Sequence, residues 1–182
     1  MRTYYWASVP PFKDASGAAF NTFTTFQQIY QSTTMPCPVI PANLLENGSE
    51  IKLTADGEFS TTGTPTLGLG FIYGAATPLT TLAVGTPLLT ITGATSWPWH
   101  AEGVWRVREP GSAGTLQGAG WWMIGISLTT FSAQQAMPAT SALRTITFDT
   151  TANNAFAPGA VWGTSSVSNT IKVDRFTVTV VT

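Results

Sequence analysis

Trp97-Pro98-Trp99-His100-Ala101-Glu102-Gly103-Val104-Trp105-Arg106-Val107-Arg108 alternates without a break. Trp97, Trp99, Ala101, Gly103, Trp105 and Val107 share one parity; Pro98, His100, Glu102, Val104, Arg106 and Arg108 share the other. Successive side chains of an extended chain point to opposite faces, so period-two alternation marks a half-buried strand. Three tryptophans of one parity read as a core face.

The same pattern extends in both directions. Residues 49–60 set Ile51, Leu53 and Ala55 against Lys52, Thr54 and Asp56, after an Asn47-Gly48 turn signal. Leu67, Leu69, Phe71 and Tyr73 alternate with Gly68, Gly70 and Gly74, and residues 82–92 give a third region. Residues 111–114 form a Gly-flanked turn, and 116–128 read as a long strand carrying Trp121 and Trp122. Further strands are expected over 143–149, 155–163 and 171–181. Phe20, Phe23 and Phe26 fit a first strand reaching Tyr30 or one face of a helix, and the Thr24-Thr25 pair favours strand. Residues 35–41 read as a Pro-punctuated connector. The total is eight or nine strands with Gly, Pro, Asn and Ser turns and no credible three-turn helix. That predicts an all-β protein, an antiparallel β-sandwich with the strand count of a jelly roll.

Residues 1–20 read as an extended N-terminal arm, and residues 21–182 as the sandwich domain. Tyr4, Tyr5, Trp6 and Phe12 are aromatic but aperiodic, and a Gly-Ala stretch follows them. They are the candidate partner-binding residues, because aromatics dominate interface energetics.

Composition narrows the function classes. Charged residues are 9% of the chain against about 25% in an ordinary globular domain. Net charge is −1, and near-zero charge promotes association. The eight basic residues are scattered, which argues against nucleic-acid binding. A single cysteine, Cys37, leaves no internal disulfide. No apolar run follows Arg2, so a signal peptide is not expected, and no stretch has the length of a membrane span. The expected product is soluble and made in the cytoplasm.

Catalytic chemistry has few candidates. His100 is the only histidine, and any Ser-His-Asp or Cys-His arrangement would need it. Glu102 lies two residues on, and the reading favoured is a surface histidine hydrogen-bonded across the strand. Cys37 sits between two prolines and reads as a small buried thiol. Asp149, Asn153 and Asn154 allow a calcium site but fit a turn better. No enzyme activity, cofactor or metal is expected. Trp97, Trp99, Trp105, Trp121, Trp122 and Trp162 read as core or subunit interface, with a sugar-stacking platform as the rival. Adjacent Trp121 and Trp122 point to opposite faces, so at least one belongs to the core.

Residues 39–61, Val-Ile-Pro-Ala-Asn-Leu-Leu-Glu-Asn-Gly-Ser-Glu-Ile-Lys-Leu-Thr-Ala-Asp-Gly-Glu-Phe-Ser-Thr, continue into Thr-Gly-Thr-Pro-Thr-Leu at 62–67. Together with Ala-Val-Trp-Gly-Thr-Ser-Ser-Val-Ser-Asn-Thr-Ile at 160–171, they resemble a recurrent pattern of tailed-bacteriophage virion structural proteins. The resemblance spans most of 39–181 and excludes the first 38 residues. It implies a tumour-necrosis-factor-like jelly roll, a homotrimer, and a place in the virion after assembly in the bacterial host cytoplasm. The role it implies is capsid decoration or minor capsid protein, binding the phage major capsid protein and reinforcing its shell. A minor tail or baseplate subunit is the alternative, and a host-glycan-binding module is a third.

Overall fold

The period-two segments become two stacked antiparallel sheets. A computed structural model describes residues 3–8, 20–29, 37–74, 80–90, 92–132 and 134–182. The strands are β1 (Thr3–Ser8), β2 (Gln27–Gln28), β3 (Val39–Ile40), β4 (Glu50–Ser60), β5 (Thr66–Gly74), β6 (Thr80–Val84) and β7 (Leu88–Leu89). They continue with β8 (Trp97–Glu109), β9 (Thr115–Ile124), β10 (Gln135–Met137), β11 (Thr145–Thr147), β12 (Asn154–Trp162) and β13 (Thr170–Val181). Among the described residues the only helical piece is a 3₁₀ turn, Ser141–Arg144.

The larger sheet runs β1-β13-β4-β8-β9-β10, with β11 also on β9. The smaller runs β2-β12-β5-β6, with β3 on β12 and β7 on β5. The chain crosses between layers from β4 to β5 and again from β12 to β13. The order β1-β13-β4-β8 facing β2-β12-β5-β6 is that of an eight-strand jelly roll, with β9 and β10 added beyond β8.

The N-terminal segment expected as an arm contributes to this order. Thr3–Ser8 lies antiparallel on β13, from Thr3 opposite Val181 to Ser8 opposite Thr177. The sheet therefore begins before the boundary expected at residue 21. Residues 1–2 and 9–19 of that segment lie outside the described residues.

The alternation of β8 is the alternation of burial. Trp99, Ala101, Trp105 and Val107 are buried and His100, Glu102 and Arg106 are not. Ile51, Leu53, Ala55 and Phe59 do the same on β4. Between the sheets Phe71 meets Trp105 edge-on at 5.8 Å and stacks on Phe176 at 6.2 Å. Trp122 and Trp162 are fully buried with them. Truncating one such ring costs about 3–5 kcal/mol in transfer and cavity terms.

Two segments depart from simple alternation. Over the described residues 20–29 only Gln27–Gln28 is a strand, with an isolated bridge from Phe20 to Ile171. Phenylalanines three apart cannot share one face of a strand. Phe23 is buried in the core, while Phe26 lies so close over Gly159 that a Cβ there would sit 2.6 Å from its ring. On β13 the buried parity changes from Ile171 and Val173 to Phe176, Val178 and Val180. A register shift between Val173 and Arg175 inserts one residue opposite β4, and both Asp174 and Arg175 stay out of the core.

That irregularity explains Gly57 in the virion-like motif. A Cβ on Gly57 would lie 2.0 Å from the Lys172 carbonyl oxygen and 2.7 Å from the Trp99 indole nitrogen. The bare backbone lets Trp99 Nε1 donate to that carbonyl at 3.0 Å. Gly48 supplies a positive φ of 91° in the turn before β4, and the Asn169 amide donates to the Thr164 carbonyl before β13. These motif positions fix turns and strand ends.

Candidate functional site

Among the strands, charge is confined to one layer. Glu50, Lys52, Asp56 and Glu58 on β4, Glu102, Arg106, Arg108 and Glu109 on β8, and Lys172, Asp174 and Arg175 on β13 all lie outside the core. No residue of β2, β3, β5, β6, β7 or β12 is charged.

Antiparallel register places Arg175, Asp56 and His100 side by side on β13, β4 and β8. Arg175 donates to Asp56 Oδ2 from Nε at 2.9 Å and from Nη2 at 2.6 Å. His100 Nδ1 meets Asp56 Oδ1 at 2.5 Å. Burial pushes the Asp56 carboxyl up, but the hydrogen bonds and charges of His100 and Arg175 outweigh it and hold it below the ordinary carboxylate value. On the same face Lys172 Nζ lies 3.1 Å from Glu58 and 3.3 Å from Asp174. Burial works against that ammonium, yet the two carboxylates raise its pKa.

Trp121 completes the group from β9. Its ring lies against His100 at 4.9 Å between centroids, and its Nε1 donates to Glu102 Oε1 at 3.0 Å. The second Glu102 oxygen, Oε2, is 3.9 Å from His100 Nε2 and 3.9 Å from Lys52 Nζ, beyond direct hydrogen bonding. An open depression of about 590 Å³ lies over this group. Its lining includes Asp56, Glu58 and Asp174 on one side and Leu128 and Phe131 on another, with His100, Trp121 and Met123 between. Leu128 is 69% exposed.

His100 is thus hydrogen-bonded across strands, to Asp56. Among the described residues no Ser, Thr or Cys bonds to it. Alternation in the sequence put Asp56 and His100 on outward faces, but nothing in the sequence set the register that joins them. Of the six tryptophans weighed as a sugar platform, Trp99, Trp105, Trp122 and Trp162 are core and Trp97 packs partly against it. Trp121 alone of these lies on the outer face of the larger sheet.

Of the candidate partner-binding residues, Tyr4, Tyr5 and Trp6 lie on β1. Tyr4 is opposite Val180 and Tyr5 opposite Thr179, and Trp6 falls at a register shift. Phe12 lies outside the described residues. Asp149, Asn153 and Asn154 form turns: Asp149 accepts from the Thr151 amide, Asn153 from the Ala42 amide, and Asn154 donates to the Asp149 and Ala152 carbonyls. Among the described residues no group of three His, Cys, Asp or Glu side chains is placed to hold a metal. The Cys37 thiol accepts from Gln28 at 3.1 Å, and burial raises its pKa despite that bond. No helix among the described residues is long and apolar enough to cross a membrane.

No family model matches the chain, and no curated protein matches it. Among solved structures, the CBM2 module of the evolved Dit of Lactobacillus casei BL23 phage J-1 is similar at 7% identity and a TM-score of 0.35. The match covers 98% of this chain and 89% of that one. That likeness is too distant to bear on function, so the virion resemblance rests on residues 39–67 and 160–171.

Proposed function

We propose that the chain is a structural subunit of a bacteriophage particle, a capsid decoration or minor capsid protein that acts by binding protein. The observation that supports this reading is the scarcity of charge: charged residues are 9% of the chain and the net charge is −1. A protein with so few charges is prone to associate, and an assembly is where that tendency is useful. The virion-like motifs agree with it, because they encode turn and bulge geometry and carry no reactive group. The expected partners are further copies, as a homotrimer, and the phage major capsid protein. A minor tail or baseplate location differs only in the particle site.

Antibody–gold labelling of purified particles tests the proposal directly. Label over heads supports decoration, and label confined to tails moves the subunit to the tail. Particles without label overturn the virion reading. Light scattering of the isolated protein checks the trimer, and a monomer at micromolar concentration would refute it.

A further inference from the structure

We propose that the depression over Trp121 and His100 is a binding site for a neutral saccharide, recognised as a pyranose ring. The inference does not depend on where the subunit sits in a particle.

The walls match both sides of such a ring. A pyranose has apolar C–H faces and a rim of hydroxyl groups. Trp121, Leu128 and Phe131 offer the apolar contact, while Asp56, Glu58 and Asp174 offer acceptors across the depression. Its volume, about 590 Å³, falls within the range of small-molecule sites.

The spacing of polar atoms adds a specific demand. A carboxylate is acceptor-only, so the contact with Asp56 places a proton on His100 Nδ1. The other ring nitrogen, Nε2, lies 3.9 Å from Glu102 Oε2, beyond direct hydrogen bonding. Hydroxyl groups both donate and accept, so neighbouring hydroxyls of a sugar can bridge such a gap.

The site is also set in advance. The Trp121 indole pins Glu102, Arg175 pins Asp56, and four adjacent strands hold the group. Preorganised polar groups lose little entropy on binding. The acids are paired with their neighbours, Asp56 with Arg175, and Glu58 and Asp174 with the shared ammonium of Lys172. The carboxylate lone pairs left over suit the hydroxyl donors of an uncharged ligand, and a cationic probe tests whether the one unbalanced negative charge selects a cation instead.

The test uses the full chain labelled with ¹⁵N. D-glucose, D-galactose, D-mannose, L-rhamnose and N-acetyl-D-glucosamine are titrated in turn, and the indole N–H signals are followed. At least one sugar is expected to shift the Trp121 signal saturably, at about millimolar affinity. The other indole signals stay in place. The backbone amides of His100 and Met123, which line the depression, are expected to shift with it. Trp121→Ala abolishes this amide response, with the unmoved core indoles reporting an intact fold. Glu102→Gln weakens it about tenfold, the loss of about one good polar contact. Val104→Lys, on the same face but outside the depression, leaves it unchanged. The proposal is overturned if no sugar moves the Trp121 signal, if the response survives Trp121→Ala, or if only the cationic probe lysine methyl ester binds.

Discussion

In the larger sheet, β4 and β8 bury every second side chain and leave the rest mostly to charged and polar residues, with Val104 an exposed exception. In the smaller sheet, β5 from Leu67 to Ile72 and β12 from Phe156 to Ala160 are buried on both faces. The outward positions there are small at Gly68, Gly70, Ala157 and Gly159 and apolar at Ile72, and Phe26 and Pro87 lie over the glycines at 159 and 68. One layer is a surface and the other an interior wall. A charge inside such a wall would have no partner and no water, which accounts for its absence.

The sharpest way to break this contrast is to place a charge in the wall. Ala157 is fully buried, and Ala157→Lys is expected to cost about 5 kcal/mol and leave the chain largely unfolded. Native-like denaturant stability of that variant would show that the wall is open to water. Trp105→Ala should cost about 4 kcal/mol, because the indole is fully buried against Phe71. Calorimetry decides between that and a merely peripheral ring.

Deleting residues 1–8 strips β1 from β13 and exposes a sheet edge. Hydrogen bonds worth about 1 kcal/mol each net imply a loss of about 2 kcal/mol and faster aggregation. An unchanged melting temperature would return the segment to the status of a free arm.

Asp56→Asn should cost about 1 kcal/mol at neutral pH, less than a buried charged hydrogen bond because the site is partly wet. The Asp56 pKa in the folded protein is depressed below its ordinary 3.8. Its contribution is therefore full above 3.8 and is lost as pH falls through the lower folded value. Melting curves of the two proteins should run parallel above that pH and converge below it. Smallest of all, Val104→Lys on the wet face should change stability by less than about 0.5 kcal/mol, as denaturant titration can verify.

Parity was legible in the sequence wherever one face is wet. The alternation of Trp97–Glu109 predicted which tryptophans of β8 turn inward, and adjacent Trp121 and Trp122 announced one in and one out. Which of the two is outside depended on how β9 pairs with β8, and that register is written in no local pattern. For the same reason Glu102 was visible beside His100, two residues along one strand, whereas Asp56 and Arg175 were not. The destination of β1 was hidden too, since Tyr4, Tyr5 and Trp6 break the apolar–polar alternation that identifies a strand. Phe20, Phe23 and Phe26 misled because those rings meet the sandwich from an irregular path.

The extra residue in β13 has a consequence best put in terms of lengths and not identities. A substitution at Asp174 leaves the number of residues, and so the phase of the strand, unchanged. Its removal is a different event. Without it, Phe176, Val178 and Val180 fall out of phase with Ile171 and Val173, and either they or their neighbours must face water. For the fold, a codon changed at this position matters less than a codon lost.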